Sequence, residues 1–242
     1  MSTDSGTLER LVPDELSAQD ATGRATLELH LERYAFAARR ARPGRLLDIA
    51  CGVGYGTRHV SQRAEGLTLA LGVDVSESAV GYARERYGGP GVEFRVADAM
   101  TFEDPEGFDT IVSLETVEHL EDPQGFVGHV VGLLRPEGVL VASVPTTPSV
   151  DVNHHHLHDF TPDSFRRLVA GLDLREIDAL AQVQKVDWMA VLLRRETRMQ
   201  DARPNLPAYY ARHPGALLRR IGATLRHGFA NHYLTLAWQR TR

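Results

Sequence analysis

The sequence predicts an α/β fold in which a mostly parallel, doubly wound sheet is covered by helices on both faces. Three observations carry that prediction. Short apolar runs alternate with segments of helical periodicity along most of the 242 residues. The runs are near-continuous in Val, Ile and Leu, as expected for strands buried on both faces. The first run, within LLDIACGVGYGT (46–57), enters a glycine-rich turn, and the next, LGVDVS, closes on Asp74.

The elements follow in order. Residues 1–23 are polar and weakly patterned and read as a flexible lead, with one helical turn at 7–12. Leu27, Leu31, Tyr34 and Ala38 share one face of a helix over 24–41, which Pro43-Gly44 stops. Strands are expected at 45–50, 67–73, 92–96, 108–113 and 138–144, with the third run reaching Asp98. Helices are expected at 55–64, at 76–87, at 115–119 resuming over 123–134 after Asp122-Pro123, and at 162–170, where Thr161-Pro162-Asp163 forms a helix start. A sixth strand reads over 172–183 and a last one over 231–240. Between them, 184–228 is an insertion with helical patterns at 186–199 and 214–226, broken by Pro204, Pro207 and Pro214.

The glycine turn and the acid have a shared chemical logic. Gly52, Gly54 and Gly56 allow a tight turn and a close backbone approach to a ligand. Asp74, at the carboxyl end of the second strand, suits a ribose diol. A nicotinamide dinucleotide site prefers G-x-G-x-x-G, whereas this loop runs G-x-G-x-G and is preceded by Asp48. Cys51, inside the turn, reads as a small buried residue and not as a nucleophile.

Taken with VEFRVADAM (92–100), FDTIVSLETVEHL (108–120) and LLRPEGVLVASVP (133–145), the chain from about 24 to 170 resembles the class I S-adenosylmethionine-dependent methyltransferases. Within them it is similar to the subgroup of ubiquinone-biosynthesis O-methyltransferases and sugar and natural-product methyltransferases. The resemblance implies a Rossmann-like seven-stranded sheet of order 3-2-1-4-5-7-6 with strand 7 antiparallel. It implies one methyltransferase domain over 24–242, with the helical insertion before the last strand. It implies S-adenosylmethionine as cofactor, contacted by Arg33, Asp48, Gly52, Gly54, Asp74, Val75, Asp98, Ala99 and Leu114. Methyl transfer to a hydroxyl of a sugar or specialised metabolite is the expected reaction. An amino-group acceptor, as on an aminosugar, is the alternative, as is a cofactor-binding relative with chemistry other than methyl transfer.

Composition narrows the partners. A single cysteine leaves no internal disulfide, and no apolar run is long enough for a membrane span. The first residues lack a secretory pattern, so the cytoplasm is the expected compartment. Residues 1–193 carry 17 basic and 30 acidic residues, which argues against a nucleic-acid partner. Residues 194–242 carry 10 basic and 2 acidic residues, which suits an anionic acceptor, partner or surface. A homodimer is compatible with the insertion's apolar residues.

Two segments offer a base for the acceptor. In ETVEHLEDP, Glu115, Glu118 and His119 fall at i, i+3 and i+4 and would share a helix face. His119 is the candidate base. A divalent cation held by Glu115, Glu118 and His119 is the less favoured reading, on a ligand set suited to one. In NHHHLHDFTPDSF (153–165), His154, His156 and His158 would share one side of an extended loop. His156, followed by Phe160-Thr161, resembles the subgroup's His…Phe-Thr element and is the second candidate base. An imidazole changes charge near neutral pH, which suits the role.

Overall fold

The computed structural model describes residues 11–16, 21–185, 205–228 and 230–241. Its centre is one seven-stranded sheet of order β3-β2-β1-β4-β5-β7-β6. The strands are β1 (Gly44–Ile49), β2 (Leu67–Asp74), β3 (Val92–Val96), β4 (Phe108–Leu114), β5 (Leu134–Pro145), β6 (Leu174–Lys185) and β7 (Ala230–Arg240). The first five pair in parallel, and β7 runs antiparallel between β5 and β6. This is the order that the family resemblance implies.

The helices are α1 (Ala21–Arg40), α2 (Tyr55–Ser61), α3 (Glu77–Tyr87), α4 (Pro123–Leu133), α5 (Pro162–Arg167), α6 (Leu206–Arg212) and α7 (Pro214–His227). Successive strand residues point to opposite faces, so the sheet builds two cores. Leu46, Ala70, Val112 and Val141 meet Phe36, Ala37, Val60 and Ala83 from α1, α2 and α3. Leu47, Leu71, Ile111 and Leu140 meet Phe126 and Val130 of α4 and Phe165 of α5. Leu46 and Leu47 are both fully buried, one in each core, which is why these strands read as unbroken apolar runs. Truncating either to Ala costs about 2–5 kcal/mol.

Several boundaries differ from the sequence reading, each for a local reason. The third strand keeps its expected bounds of 92–96, and only the run on to Asp98 leaves the sheet, because Asp98 accepts the Met100 N–H and turns the chain. β5 begins at Leu134, which pairs with Phe108 before an irregular turn through Glu137 at φ 61°. The helix expected at 115–119 is a single 3-10 turn, Val117–His119, since Glu115 has φ 51° and Thr116 has φ −124°. The expected break at Pro207 is instead the start of α6, where a proline in the first turn removes no intrahelical bond. The expected helix at 186–199, with Trp188, Met189, Leu192 and Leu193, lies outside the described residues. So do the turn at 7–10 and most of the lead. Among the described residues no helix is long and apolar enough to cross a membrane.

Candidate functional site

The carboxyl ends of β1, β2 and β4 open on one edge of the sheet, where parallel α/β folds bind ligands. The β1–α2 turn runs through Ala50 at φ 62°, Gly52 at φ 57° and Gly54 at φ 84°. The glycines are required for different reasons. A Cβ on Gly54 would lie 2.6 Å from Ala83 Cβ and from the Phe94 ring, so this glycine seats the turn on the sheet. A Cβ on Gly52 would meet no protein atom within 4 Å. Gly52 therefore borders open space, a cradle for a ligand held close to the backbone.

Asp74 faces this cradle and is 7% exposed. Its Oδ2 accepts the Gly52 N–H at 2.9 Å, and its Oδ1 accepts the Ser76 N–H at 2.9 Å. The acid is thus fixed to the glycine turn before any ligand arrives. The cap of α3 is Ser76 and not Asp74, since the Ser76 Oγ accepts the Ala79 N–H. Val75 is exposed, and so is Val96, the register partner of Asp74 on β3. The two form an apolar rim suited to a flat ring. Asp98, with Ala99 next to it, sits in the turn after β3. Leu114 ends β4 and is half-buried.

Asp48 lies beneath the turn and is 1% exposed. The Thr57 hydroxyl donates to its Oδ2 at 2.6 Å. Burial pushes its carboxyl from 3.8 up to about 7, while hydrogen bonds from Thr57 and Tyr34 pull it down and the Asp74 charge raises it. Burial also pushes the Cys51 thiol well up, which removes it as a nucleophile.

Arg33 is the largest charged group in the interior, 1% exposed. Its Nε donates to Gln182 Oε1 at 2.7 Å, and its guanidinium lies 4.3 Å from the Tyr233 ring centre. Nη1 is 3.2 Å from Glu115 Oε1, an ion-pair distance, yet the angle makes no hydrogen bond. The charge is balanced, but a buried N–H remains to be satisfied. A ligand carboxylate matches that donor. Gln182 in turn donates to Glu32 Oε2 at 2.6 Å and to the Leu29 carbonyl, so β6 grips α1 at this point.

Glu115 belongs to this polar group and not to a face shared with Glu118 and His119. Its left-handed backbone turns it toward Ser143, whose hydroxyl donates to Oε1 at 2.6 Å. The expected ligand set Glu115, Glu118 and His119 is therefore not brought together. His156 takes the third place instead. One ligand atom each from Glu118, His119 and His156 lies within 4.8 Å of the others. The His119 and His156 rings meet edge to face, 4.8 Å between centres. His119 Nδ1 is 3.1 Å from the His155 carbonyl, which only accepts, so Nδ1 bears the hydrogen and a neutral ring has its basic lone pair on Nε2. His156 Nδ1 is 2.6 Å from Ser149 Oγ.

The other histidines of the loop do not join them. His158 Nε2 donates to the Leu120 carbonyl, and the His154 and His155 ring centres lie 3.9 Å apart with their planes tilted by 39°. The shared side expected for His154, His156 and His158 is absent because the loop bends. Asp159 accepts the N–H groups of Ser149 and Val150 across it. Asp151 ties the same loop to the insertion: it accepts from the Tyr209 hydroxyl at 3.0 Å and from Arg219 at 3.0 and 2.9 Å. Phe160 anchors its far end beside Phe165, and Thr161 caps α5 as expected.

Sheet order, the glycine turn and the acid at the end of β2 together define a class. In fold and in sequence the chain is similar to the class I S-adenosylmethionine-dependent methyltransferases. Residues 47–142 match the family model described as a methyltransferase domain. A probable S-adenosylmethionine-dependent methyltransferase of Mycobacterium tuberculosis is 30% identical over 165 residues, 61% of this chain and 58% of that protein. The ubiquinone biosynthesis O-methyltransferase of Paramagnetospirillum magneticum is 33% identical over 101 residues, 40% of this chain and 39% of that protein. The chain thus spans less than two thirds of the length of either curated relative. Among solved structures, the N-methyltransferase NodS of Bradyrhizobium japonicum, in complex with S-adenosyl-L-homocysteine, superposes with a TM-score of 0.61 at 16% identity, covering 93% of this chain and 90% of that one.

Proposed function

We propose that this chain binds S-adenosylmethionine in the cleft above β1, β2 and β4 and methylates a small-molecule acceptor, a hydroxyl of a sugar or specialised metabolite. One observation carries the reading. The Gly52–Asp74 cradle and the His119–His156 pair follow strands that end on the same edge of the sheet.

Bound there, the cofactor supplies an electrophilic methyl group. The chain's own groups do the rest. Asp74 accepts from the ribose diol, Val75 and Val96 flank the adenine, and Asp98 with the Ala99 backbone faces its amino edge. Leu114 covers the adenosine from β4. Gly52 and Gly54 pass under the methionine portion, above Asp48, and the Arg33 Nη1 donor meets its carboxylate. His119, with its proton fixed on Nδ1, uses Nε2 to take a proton from the acceptor hydroxyl. His156 completes the pocket wall and holds the acceptor in line. An amino-group acceptor uses the same wall, as an N-methyltransferase needs a base there too.

A second reading has its own observation. Glu118, His119 and His156 converge closely enough to hold a divalent cation, which would orient and acidify the acceptor hydroxyl. The domain is read as 24–242, after the lead 1–23, with the insertion 184–228 as the acceptor-side cover or a homodimer contact. The Asp151 bonds to Tyr209 and Arg219 support the cover.

The test is calorimetry with S-adenosylmethionine, followed by transfer of a labelled methyl group across hydroxyl and amino acceptors. Absence of cofactor binding refutes the reading. Turnover that survives a chelator removes the cation, and turnover lost to a chelator and restored by a divalent ion establishes it.

A further inference from the structure

α7 is turned inside out. Its buried residues are Ala216 and Ala223, at 2% and 9% exposure. Its large apolar residues, Leu217, Leu218, Ile221 and Leu225, are 41%, 70%, 47% and 83% exposed. At 3.6 residues per turn the two alanines share one side of the helix, and the four large residues form a single stripe on the other. A helix serving only the core would carry its leucines inward. Here the small side chains meet the protein and the large ones meet solvent.

The charge around the stripe has one sign. α7 contains no acidic residue, and its charged positions are Arg219, Arg220 and Arg226. Arg219 is held by Asp151, which fixes the helix on the loop that carries His156. Arg220 and Arg226 are held in no ion pair among the described residues. Exposed Arg212 precedes them on α6. The stretch 194–242 has 10 basic and 2 acidic residues, against 17 and 30 in the rest of the chain.

We propose that α7 is a docking helix for an anionic phospholipid surface. Leu217, Leu218, Ile221 and Leu225 enter the boundary between headgroups and acyl chains, and Arg212, Arg220 and Arg226 reach the lipid phosphates. The acidic body is repelled by the same surface, so the contact has one orientation. A second copy of this chain meets the stripe less well. A two-fold pairing of α7 with itself sets the Arg220 and Arg226 groups of both copies in one contact, where like charges repel. Lipid phosphates neutralise them instead.

The experiment is co-sedimentation of the full chain with vesicles of phosphatidylcholine, alone or mixed with phosphatidylglycerol, at low and high salt. Light scattering on the free protein gives its oligomeric state, and thermal melting checks that each variant is folded. The expected result is binding to the mixed vesicles only, weakened by salt. Arg220→Gln with Arg226→Gln lowers the partition about 30-fold, each arginine near such a surface contributing about fivefold. Leu218→Glu with Leu225→Glu abolishes it with the melting temperature unchanged. Three results overturn the proposal: no binding of the wild-type chain to mixed vesicles, equal binding to pure phosphatidylcholine, or a wild-type dimer that the Leu→Glu pair converts to a monomer while neither binds vesicles.

Discussion

Asp48→Asn isolates the energetics of the buried acid under the glycine turn. Asp48 is 1% exposed, and burial raises its carboxyl from 3.8 to about 7. Between those values the folded chain binds a proton that the unfolded chain releases. Stability must then fall as pH rises from about 4 to about 7, and level off above. Worked for the two values, the loss between pH 5 and pH 8 is about 3 kcal/mol. In a domain of this size that is about 5–10 °C in melting temperature. Asparagine has nearly the same shape and retains an oxygen to accept the Thr57 hydroxyl bond, but it carries no charge to desolvate. The assay is thermal melting of both proteins without cofactor across that pH range. The wild-type chain should lose the stated margin relative to the variant as pH rises. A constant difference between the two proteins from pH 5 to pH 8 refutes the argument, because it means Asp48 ionises folded as it does unfolded.

Asp74→Ala removes the acceptor fixed at 2.9 Å from Gly52 N and should weaken S-adenosylmethionine binding by about 1–3 kcal/mol, or roughly 5- to 150-fold, read by calorimetry. An unchanged dissociation constant would dismiss the ribose assignment. His119→Ala should lower turnover by about 10²–10⁴ with cofactor affinity intact, and His156→Ala should act in the same direction. Wild-type turnover in both variants removes the base from this corner. Gly54→Ala drives a Cβ to 2.6 Å from Ala83 and Phe94 at φ 84°, and should destabilise the fold by about 2–5 kcal/mol in denaturant titration. A variant as stable as the wild type would show that the turn can shift.

What was legible in the sequence was whatever local pattern encodes. Apolar runs such as Leu46–Leu47 and Val139–Val141 announce strands, because burial on both faces leaves no alternation to misread. Gly52, Gly54 and Asp74 were legible because turn and acid lie on consecutive strands. What was hidden depends on backbone conformation or on distance. The i, i+3, i+4 spacing of Glu115, Glu118 and His119 suggests one face only if the segment is helical, and the left-handed Glu115 undoes it. Gln182 meets Arg33 across 149 positions, and no spacing rule anticipates that contact. Asp151 meets Arg219 across 68 positions, again beyond the reach of any spacing rule.

Ala50 and Glu115 hold left-handed backbone at φ 62° and 51°, immediately after β1 and β4. Each conformation costs a non-glycine residue about 1–2 kcal/mol. Selection for stability alone would favour glycine at both positions, so they mark where the chain trades robustness for the direction of a side chain. The trade differs between them. Ala50 has no reach beyond its methyl, so Ala50→Gly should raise the melting temperature and leave the proposed site intact, making it the safe starting point for a hardier variant. Glu115→Gly relieves the same strain but deletes the carboxylate between Arg33 and Ser143, exposing the uncompensated charge of a buried guanidinium. Two equally strained residues on one sheet edge thus divide into one that engineering can relax and one that it must leave alone.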